Sequence, residues 1–407
     1  MQVDVRSIPR ERLAELLVPI NTAFGVTNSP ERIERVAALP ELQLLLGACE
    51  GDAIVGSTGA FTFDMTVPGG VAVETSGLTV VAVLPTHRRR GILRRMMRAH
   101  LDEAHRRGQV LAALFASEGG IYGRFGYGLA ALRGEIDLRK ERTAFAGGVP
   151  RIPHDGRFRL VGEAEAAAVL PAIWERVRLT RPGMLSRSGA WWRARRLADP
   201  EALRAGRTPL QRVVLETDGR PSAYALYRLG NTFTTQHADI SVDIVEAMGD
   251  SPAGVRALWR YLFEIDVLAS YKATQLPVDH PLLFLLAEPA RMQLQLRDGL
   301  WVRLVDVGAA LSRRGWREGP PLVIQVEDAF CPWNTGRYRL AGGAAERTDA
   351  APDLALDADA LGAVYLGAFG LTQLAQAGRV EELTPGALAR ADARFQADLA
   401  PWCPEIF

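Results

Sequence analysis

The alternation and run length of apolar positions divide the chain into elements. Residues 3–8 predict a first strand. Leu13, Leu16, Leu17, Ile20 and Phe24 recur at helical spacing, and Gly25 stands where a helix would stop. Ser29-Pro30-Glu31 supplies an N-cap, a first-position proline and an acidic first turn, which predicts a second helix. Apolar runs at 42–50, 53–63 and 71–83 predict strands, with a turn at Pro68-Gly69-Gly70. The run Leu78–Val83 is rich in β-branched residues and ends before Pro85, which cannot donate to a ladder. After Gly91 the period becomes helical. Ile92, Leu93, Met96, Met97, His100, Leu101 and Ala104 form one stripe, and Arg94, Arg95, Arg98, Asp102, Glu103 and Arg106 form the other. Residues 110–116 predict another buried strand, and this strand–helix–strand order predicts two parallel neighbours.

Residues 144–156, rich in Gly and Pro, predict a linker. Beyond it, 164–181 and 190–198 predict helices, 211–229 a hairpin about Asp218-Gly219, 240–248 a strand, and 252–269 an amphipathic helix. From about Arg297 the pattern changes. Strands are predicted at 300–305, 321–326, 338–340 and 354–356, and helices at 358–366 and 371–377. Mixed strands and helices over 407 residues predict an α/β (α+β) chain of two or three domains.

Composition narrows the classes. A 48% hydrophobic content supports a large core, and a net charge of +1 gives no global field toward nucleic acid or membrane. Cys49, Cys331 and Cys403 are far apart with no CxxC, which argues against structural zinc and a disulfide framework and fits a reducing cytoplasm. The first residues lack the apolar stretch of a signal peptide, and no apolar run approaches the roughly 18 residues needed to span a bilayer. GxxxxGK[ST], HExxH and GxSxG are absent.

The cations instead concentrate at Arg88, Arg89 and Arg90, at the start of the helix after Gly91. A helix N-terminus already carries partial positive charge, so three arginines there are unfavourable without an anion. Free N–H groups and guanidinium groups could hold one together, with Gly91 allowing close backbone approach. A solvated basic patch, including one for nucleic acid, is the alternative. The strand–basic turn–Gly–helix order favours a phosphate-bearing cofactor.

The same residues carry a resemblance. Arg88-Arg89-Arg90-Gly91-Ile92-Leu93 resembles the Arg/Gln-x-x-Gly-x-Gly/Ala signature of GNAT N-acetyltransferases, which seats the coenzyme A pyrophosphate; Leu93 departs from the small residue there. The strings Val81–Gly91 and Ala116–Gly128 (ASEGGIYGRFGYG) resemble the enhanced intracellular survival (Eis) family. LGAVYLG at 361–367 with AGRV at 377–380 is similar to the Eis C-terminal domain, which folds like a sterol carrier protein. The resemblance implies tandem GNAT-like domains followed by that sterol-carrier-like domain. Its expected limits are 1–150 (catalytic), 151–296 (degenerate, with Asp250-Ser251-Pro252-Ala253-Gly254 in place of the arginine run) and 297–407. It implies acetyl-CoA as co-substrate without a metal, an amine acceptor on a small molecule or peptide, no nucleic-acid or membrane partner, and a homo-oligomer, by family a hexamer.

Roles follow for single residues. The resemblance implies that Val81 and Val83 pair with pantetheine, while Arg88, Arg89, Gly91 and Ile92 hold the pyrophosphate and Ser117 makes a polar contact. Acetyl transfer from a thioester to an amine through a tetrahedral intermediate needs a neutral amine, an oxyanion donor and a proton for the thiolate. A backbone N–H near Val80 or Val81 is the candidate donor. Tyr122, after Ser-Glu-Gly-Gly at the end of a buried strand, is the candidate acid and matches the Eis general acid by position. Tyr127 is second choice, and Glu118 is a base by type alone. Phe24 is either a core residue at a helix end or a wall of the acceptor pocket. His87 beside the arginines is read as part of the turn and His100 on the helix stripe as a core histidine, while His105, His154, His237 and His280 form no cluster.

The last residues, PWCPEIF, carry Trp402, Ile406 and Phe407 and are expected to be buried. In Eis enzymes the C-terminal carboxylate accepts the amine proton, so Phe407 is the implied base. Eis-like enzymes take aminoglycosides, polyamines or lysine side chains. Known aminoglycoside acceptors carry an acid just before the last residue, where Ile406 stands here with Glu405 one step earlier, and the turn Phe24–Asn28 also lacks one. The contrasting reading is a non-catalytic module that carries an apolar ligand in its C-terminal domain.

Overall fold

The computed structural model describes residues 3–150, 156–233, 238–266 and 268–407. The chain forms two units, Met1–Ala131 with Gly299–Pro401 and Glu405–Phe407, and Leu132–Asp298 with Trp402–Pro404.

In the first unit the predicted strands β1 (Asp4–Ser7), β2 (Leu42–Glu50), β3 (Ala53–Val67), β4 (Val71–Val83), β5 (Leu111–Phe115) and a short β6 (Gly128–Leu129) build one sheet. Its order is β1-β2-β3-β4-β5, then Leu300–Leu304, then β6. β1 to β4 run antiparallel, while β4 and β5 pair in parallel, as the strand–helix–strand pattern predicts, over Thr75–Gly77 and Leu111–Ala113. The strand Leu300–Leu304 is expected to open the C-terminal domain; instead it pairs antiparallel with β5 and β6. Its apolar alternation specifies burial, and burial does not specify which sheet supplies the partner.

The first helical stretch divides into α1 (Leu13–Leu16) and α2 (Val18–Phe24), because Pro19 sits in the first turn of α2. Gly25 ends α2 at φ +63°, and Ser29 caps α3 (Pro30–Ala37) by accepting from Arg32 N–H. α4 (Ile92–Arg106) buries its predicted stripe, with Met97, Leu101 and Ala104 packing on Leu78, Ala112 and Leu114. His100 is fully buried, 2.9 Å from Ser76 Oγ through Nε2, and desolvation lowers its pKa to about 4.

The same unit contains a five-stranded sheet in the order Ala344–Arg347, Gly336–Ala341, Leu322–Glu327, Leu354–Asp357, Val380–Glu382. Helices Val307–Arg313, Ala358–Tyr365, Leu371–Gln376 and Ala387–Phe395 accompany it. Strands 344–347 and 380–382 and helix 387–395 are too short or too polar to stand out in the sequence. Helix Ala358–Tyr365 lies against β6 and Leu300–Leu304 at backbone distance. A Cβ on Gly128 would stand 2.0 Å from Asp359 O, and one on Gly362 would stand 2.3 Å from Val302 O.

The second unit is a seven-stranded sheet in the order Gln295–Asp298, Leu132–Arg139, Leu268–Leu276, Ala238–Gly249, Arg220–Phe233, Gln211–Thr217, Arg157–Leu160. Leu132–Arg139 thus belongs to this sheet although it precedes the expected limit at 150. The predicted hairpin turns at Asp218 (φ +53°) and Gly219 (φ +72°), the left-handed pair of a two-residue loop. Helix Pro252–Glu264 stops short of 269, because Leu268 already starts the strand that pairs in parallel with Ala238–Gly249. The helix at 190–198 becomes a three-residue α-turn, Gly189–Trp191, followed by a π-helix, Trp192–Arg196. Of the expected linker, Ala144 and Ala146 are bonded to Ala287 and Leu285, and 151–155 lie outside the described residues. Among the described residues no helix is long and apolar enough to cross a membrane.

The Gly128 contact gives a direct test. Gly128→Ala forces backbone apart from backbone and should destabilise by about 1–3 kcal/mol, as overpacking does. Gly120→Ala, where a Cβ meets nothing within 4 Å, should leave the melting temperature nearly unchanged. Differential scanning calorimetry compares the two; equal melting temperatures would show that the helix can retreat without cost.

Candidate active site

β4 keeps company with β5 only as far as Gly77. Beyond that point its register with β3 shifts between Ser57 and Gly59, and Val80 takes φ +48°, a costly conformation for a β-branched residue. Ser57 Oγ donates to Val80 O at 2.8 Å and holds the bulge. The two strands then diverge, and a cavity of about 530 Å³ opens between them. Val81 and Val83 line one side, and Ser117, Glu118, Ile121 and Tyr122 line the other. Arg88, Arg89, Gly91 and Ile92 lie at the N-terminus of α4, and Phe24 comes from α2. Phe24 is 50% exposed, so of its two readings core packing is excluded. Val80 does not line this cavity; it sits in the bulge beside it.

The basic end combines an N-terminus without a side-chain cap with guanidinium groups. Gly91 caps α4 at φ +74° with no side-chain cap, and Arg89 is also left-handed at φ +63°. Such turns aim successive N–H groups at one point. The space in front is open, since a Cβ on Gly91 would meet nothing within 4 Å. The arginines sort by partner. Arg90 and His87 both reach Glu50, at 3.3 and 3.4 Å, and His87 first, then Arg90, hold that carboxyl below its ordinary pKa. Arg95 donates to Val3 O at 2.6 Å, and Arg98 donates to Phe330 O. Arg88, Arg89, Arg94 and Arg124 line the cavity. Arg94 and Arg124 are absent from the sequence-derived site. Arg94 reads as one more charge on the polar stripe of α4, and Arg124 hides among glycines and aromatics.

Tyr122 is 7% exposed, and its pKa is pushed up to about 12, first by burial and then by the Glu118 charge. Tyr127, its alternative, is fully buried with its pKa raised by desolvation; it stands edge-on to Tyr122 with centroids 6.1 Å apart and does not line the cavity. Phe407 lies outside the cavity lining, on the sheet where β4 and β5 part. Its ring is 5.2 Å from Phe63 and 5.7 Å from Phe115, and a Cβ on Gly77 would stand 3.0 Å from it. Pro401 to Glu405 are buried, but Ile406 is 52% exposed, contrary to expectation.

Family models agree with this architecture. An acetyltransferase (GNAT) domain matches residues 4–130, a second acetyltransferase (GNAT) domain matches 183–304, and a sterol carrier protein domain matches 307–404. The N-acetyltransferase Eis of Mycobacterium tuberculosis is 36% identical over 367 residues, 87% of this chain and 86% of that one. The chain belongs to the Eis-like family of GNAT N-acetyltransferases. An uncharacterized N-acetyltransferase of Streptomyces avermitilis is 42% identical over the full length of both chains. The crystal structure of Eis1 from Mycobacterium abscessus superposes with a TM-score of 0.86 at 31% identity, covering 99% of this chain and 100% of that one. GNAT acetyltransferases use acetyl-CoA, and this Eis-like protein is an acetyltransferase whose cavity has an open, cationic end.

Partner sorting separates two neighbouring arginines. Arg88→Ala should remove a charge-assisted contact of about 1.5–3 kcal/mol, roughly a 10- to 150-fold loss in acetyl-CoA affinity. Arg90→Ala, already committed to Glu50, should change affinity less than about threefold. Isothermal titration measures both; equal losses would mean that the cavity does not discriminate between them.

Proposed function

We propose that the protein transfers acetyl from acetyl-CoA directly to a primary amine in this cleft, with Tyr122 as the acid. The observation that carries the reading is one cavity holding both the uncapped, arginine-lined start of α4 and the Tyr122 side chain. Backbone groups of Val81 and Val83 are freed from β5 to pair with pantetheine. Arg88, Arg89 and Gly91 take the pyrophosphate, Ser117 takes a polar contact, and Val81 N–H faces the developing oxyanion. Arg94 and Arg124 add positive charge for the remaining phosphate.

Tyr122 remains protonated at every working pH. Moving its proton, held at about 12, to a thiolate whose thiol ionises near 8.5 is uphill by roughly 5 kcal/mol on ordinary values. The same dry surroundings raise the thiol as well, because desolvation penalises every anion, and this narrows the gap. Since the acid form persists up to about 12, kcat should not fall between pH 8 and 10. Tyr122→Phe should lower kcat on the order of a hundredfold with acetyl-CoA affinity retained. CoA release over a panel of amines, followed from pH 7 to 10, tests this; no release with any amine sinks the function, and an unaffected Tyr122→Phe variant sinks the acid.

For the acceptor, Phe24, Val26 and Ile406 are exposed and apolar, at 50%, 45% and 52%. Positions 26 and 406 therefore offer no carboxylate for a polycation, which favours small-molecule or lysine-like monoamines over aminoglycosides and polyamines. The amine proton goes to the α-carboxylate of Phe407, whose ring is fixed against Phe63 and Phe115. One glycine added after Phe407 moves that carboxylate by about 3.5 Å. Turnover should then fall steeply while acetyl-CoA affinity and melting temperature hold; full activity in the extended protein would discard this base.

A further inference from the structure

The turn that presents Tyr122 is intrinsically loose. Residues 119–128 read GGIYGRFGYG, and glycine gives up more conformational freedom on ordering than any other residue. Two successive 3₁₀ turns, Gly119–Ile121 and Gly123–Phe125, hold it internally. Their bonds are Tyr122 N–H to Gly119 O at 3.4 Å, Phe125 N–H to Tyr122 O at 2.9 Å and Gly126 N–H to Gly123 O at 2.8 Å. Such turns have poor hydrogen-bond geometry and seldom persist without outside support.

That support comes from the strand Leu300–Leu304. Trp301 and Arg303, two residues apart, both reach the turn. A Cβ on Gly119 would stand 2.9 Å from the Trp301 ring, and one on Gly126 would stand 1.5 Å from Arg303 Nη1. Arg303 is fully buried; its Nη1 donates to Phe125 O and its Nη2 to Asp328 Oδ2, each at 2.5 Å. Asp328 is fixed in turn, accepting from Phe330 N–H at 3.2 Å, Cys331 N–H at 2.8 Å and Asn334 Nδ2 at 2.9 Å. A chain of contacts therefore runs from Asp328 through Arg303 to the Phe125 carbonyl, and the Phe125 N–H, one peptide earlier, holds the Tyr122 carbonyl. The loop after Asp328 also meets α4, where Arg98 lies 4.1 Å above the Phe330 ring.

We propose that Arg303, with Asp328 as its counter-charge, is a positioning residue that holds the Tyr122 turn in the geometry needed for proton delivery. The inference rests on the reading of Tyr122 as the acid. A buried ion pair is weak as a device for stability, since apolar residues of similar volume fill such a site as well. Its advantage here is direction, because a guanidinium can hold a carboxylate and a carbonyl at a fixed angle at once.

A double-mutant cycle on the full-length protein tests this, with Arg303→Lys and Tyr122→Phe singly and together. The expected result is a fall in kcat of tenfold or more for Arg303→Lys, acetyl-CoA affinity within twofold of wild type, and less than a twofold further loss from Arg303→Lys when Tyr122 is already Phe. An equal loss in both backgrounds, or an undiminished kcat, would overturn the positioning role while leaving the acid intact. An undiminished kcat in Tyr122→Phe alone would overturn both readings. Where Arg303→Lys does not fold, Asp328→Glu, which shifts the counter-charge by one methylene, replaces it in the same cycle.

Discussion

Everything in the catalytic half of the chain follows from the place where β4 leaves β5. Parallel pairing ends at Gly77 and Ala113, and two residues of disturbed register on β4 carry Val80 into a conformation that a β-branched side chain avoids. The cost is offset locally. Ser57 donates to the Val80 carbonyl, and Gly59, across the bulge, has no side chain to meet Val80, where a Cβ would come within 3.2 Å of its Cγ2. Gly56, three residues earlier on β3, lets Ile92 and Met96 of α4 come as close. The same stretch of β3 therefore sets the bulge and seats the helix. The divergence leaves the backbone of Val81 and Val83 at the cavity and brings the start of α4 to its end.

The sequence is most informative where a rule is broken in public view. Three arginines at a helix start contradict the helix dipole, and that conflict is visible without coordinates. Which arginine faces the cavity is not visible, because Arg90 turns to Glu50 on a strand some forty residues away, while Arg94 joins the cavity from a position that reads as surface. The strand Leu300–Leu304 illustrates a second limit. Its pattern marks it as buried, but its partners β5 and β6 lie about 190 and 170 residues earlier, and nothing local encodes that choice. The hold of Arg303 on the Tyr122 turn is hidden for the same reason. Of the glycines in that turn, 119 and 126 are the ones Trp301 and Arg303 approach, while 120 faces open space, and the sequence does not tell them apart.

The two units solve the same local problem in opposite ways. Both place a helix after a strand and follow it with a parallel neighbour. In the second unit Ser251 caps its own helix by accepting from Gly254 N–H at 3.1 Å, and Pro252 removes one orphan donor. In the first, Gly91 offers no side chain, and the donors of α4 open onto a cavity lined by cations. An N-terminus that satisfies itself has no need of an anion. One left open beside arginines keeps unsatisfied donors and unbalanced positive charge. This contrast explains in physical terms why the second unit keeps the topology without the signature.

The C-terminal domain matches a sterol carrier protein domain, and such a fold does not by itself imply lipid binding. Its largely apolar interior also buries polar groups. Arg314 is 2% exposed, stacked between Trp316 and Phe395 with ring centroids at 4.5 and 4.9 Å, and desolvation lowers its pKa to about 10. It donates to Tyr365 O at 2.7 Å and to Phe395 O, the last carbonyls of two helices, where their dipoles favour a cation. Tyr365 is likewise committed, its hydroxyl donating to Ala310 O at 2.8 Å. An apolar ligand entering this interior would strip those carbonyls of their donor and leave a buried charge unmatched, a loss that hydrophobic contact does not readily recover. The same domain supplies helix Ala358–Tyr365, packed against β6 at backbone distance, and Asp328, whose carboxylate accepts from Arg303.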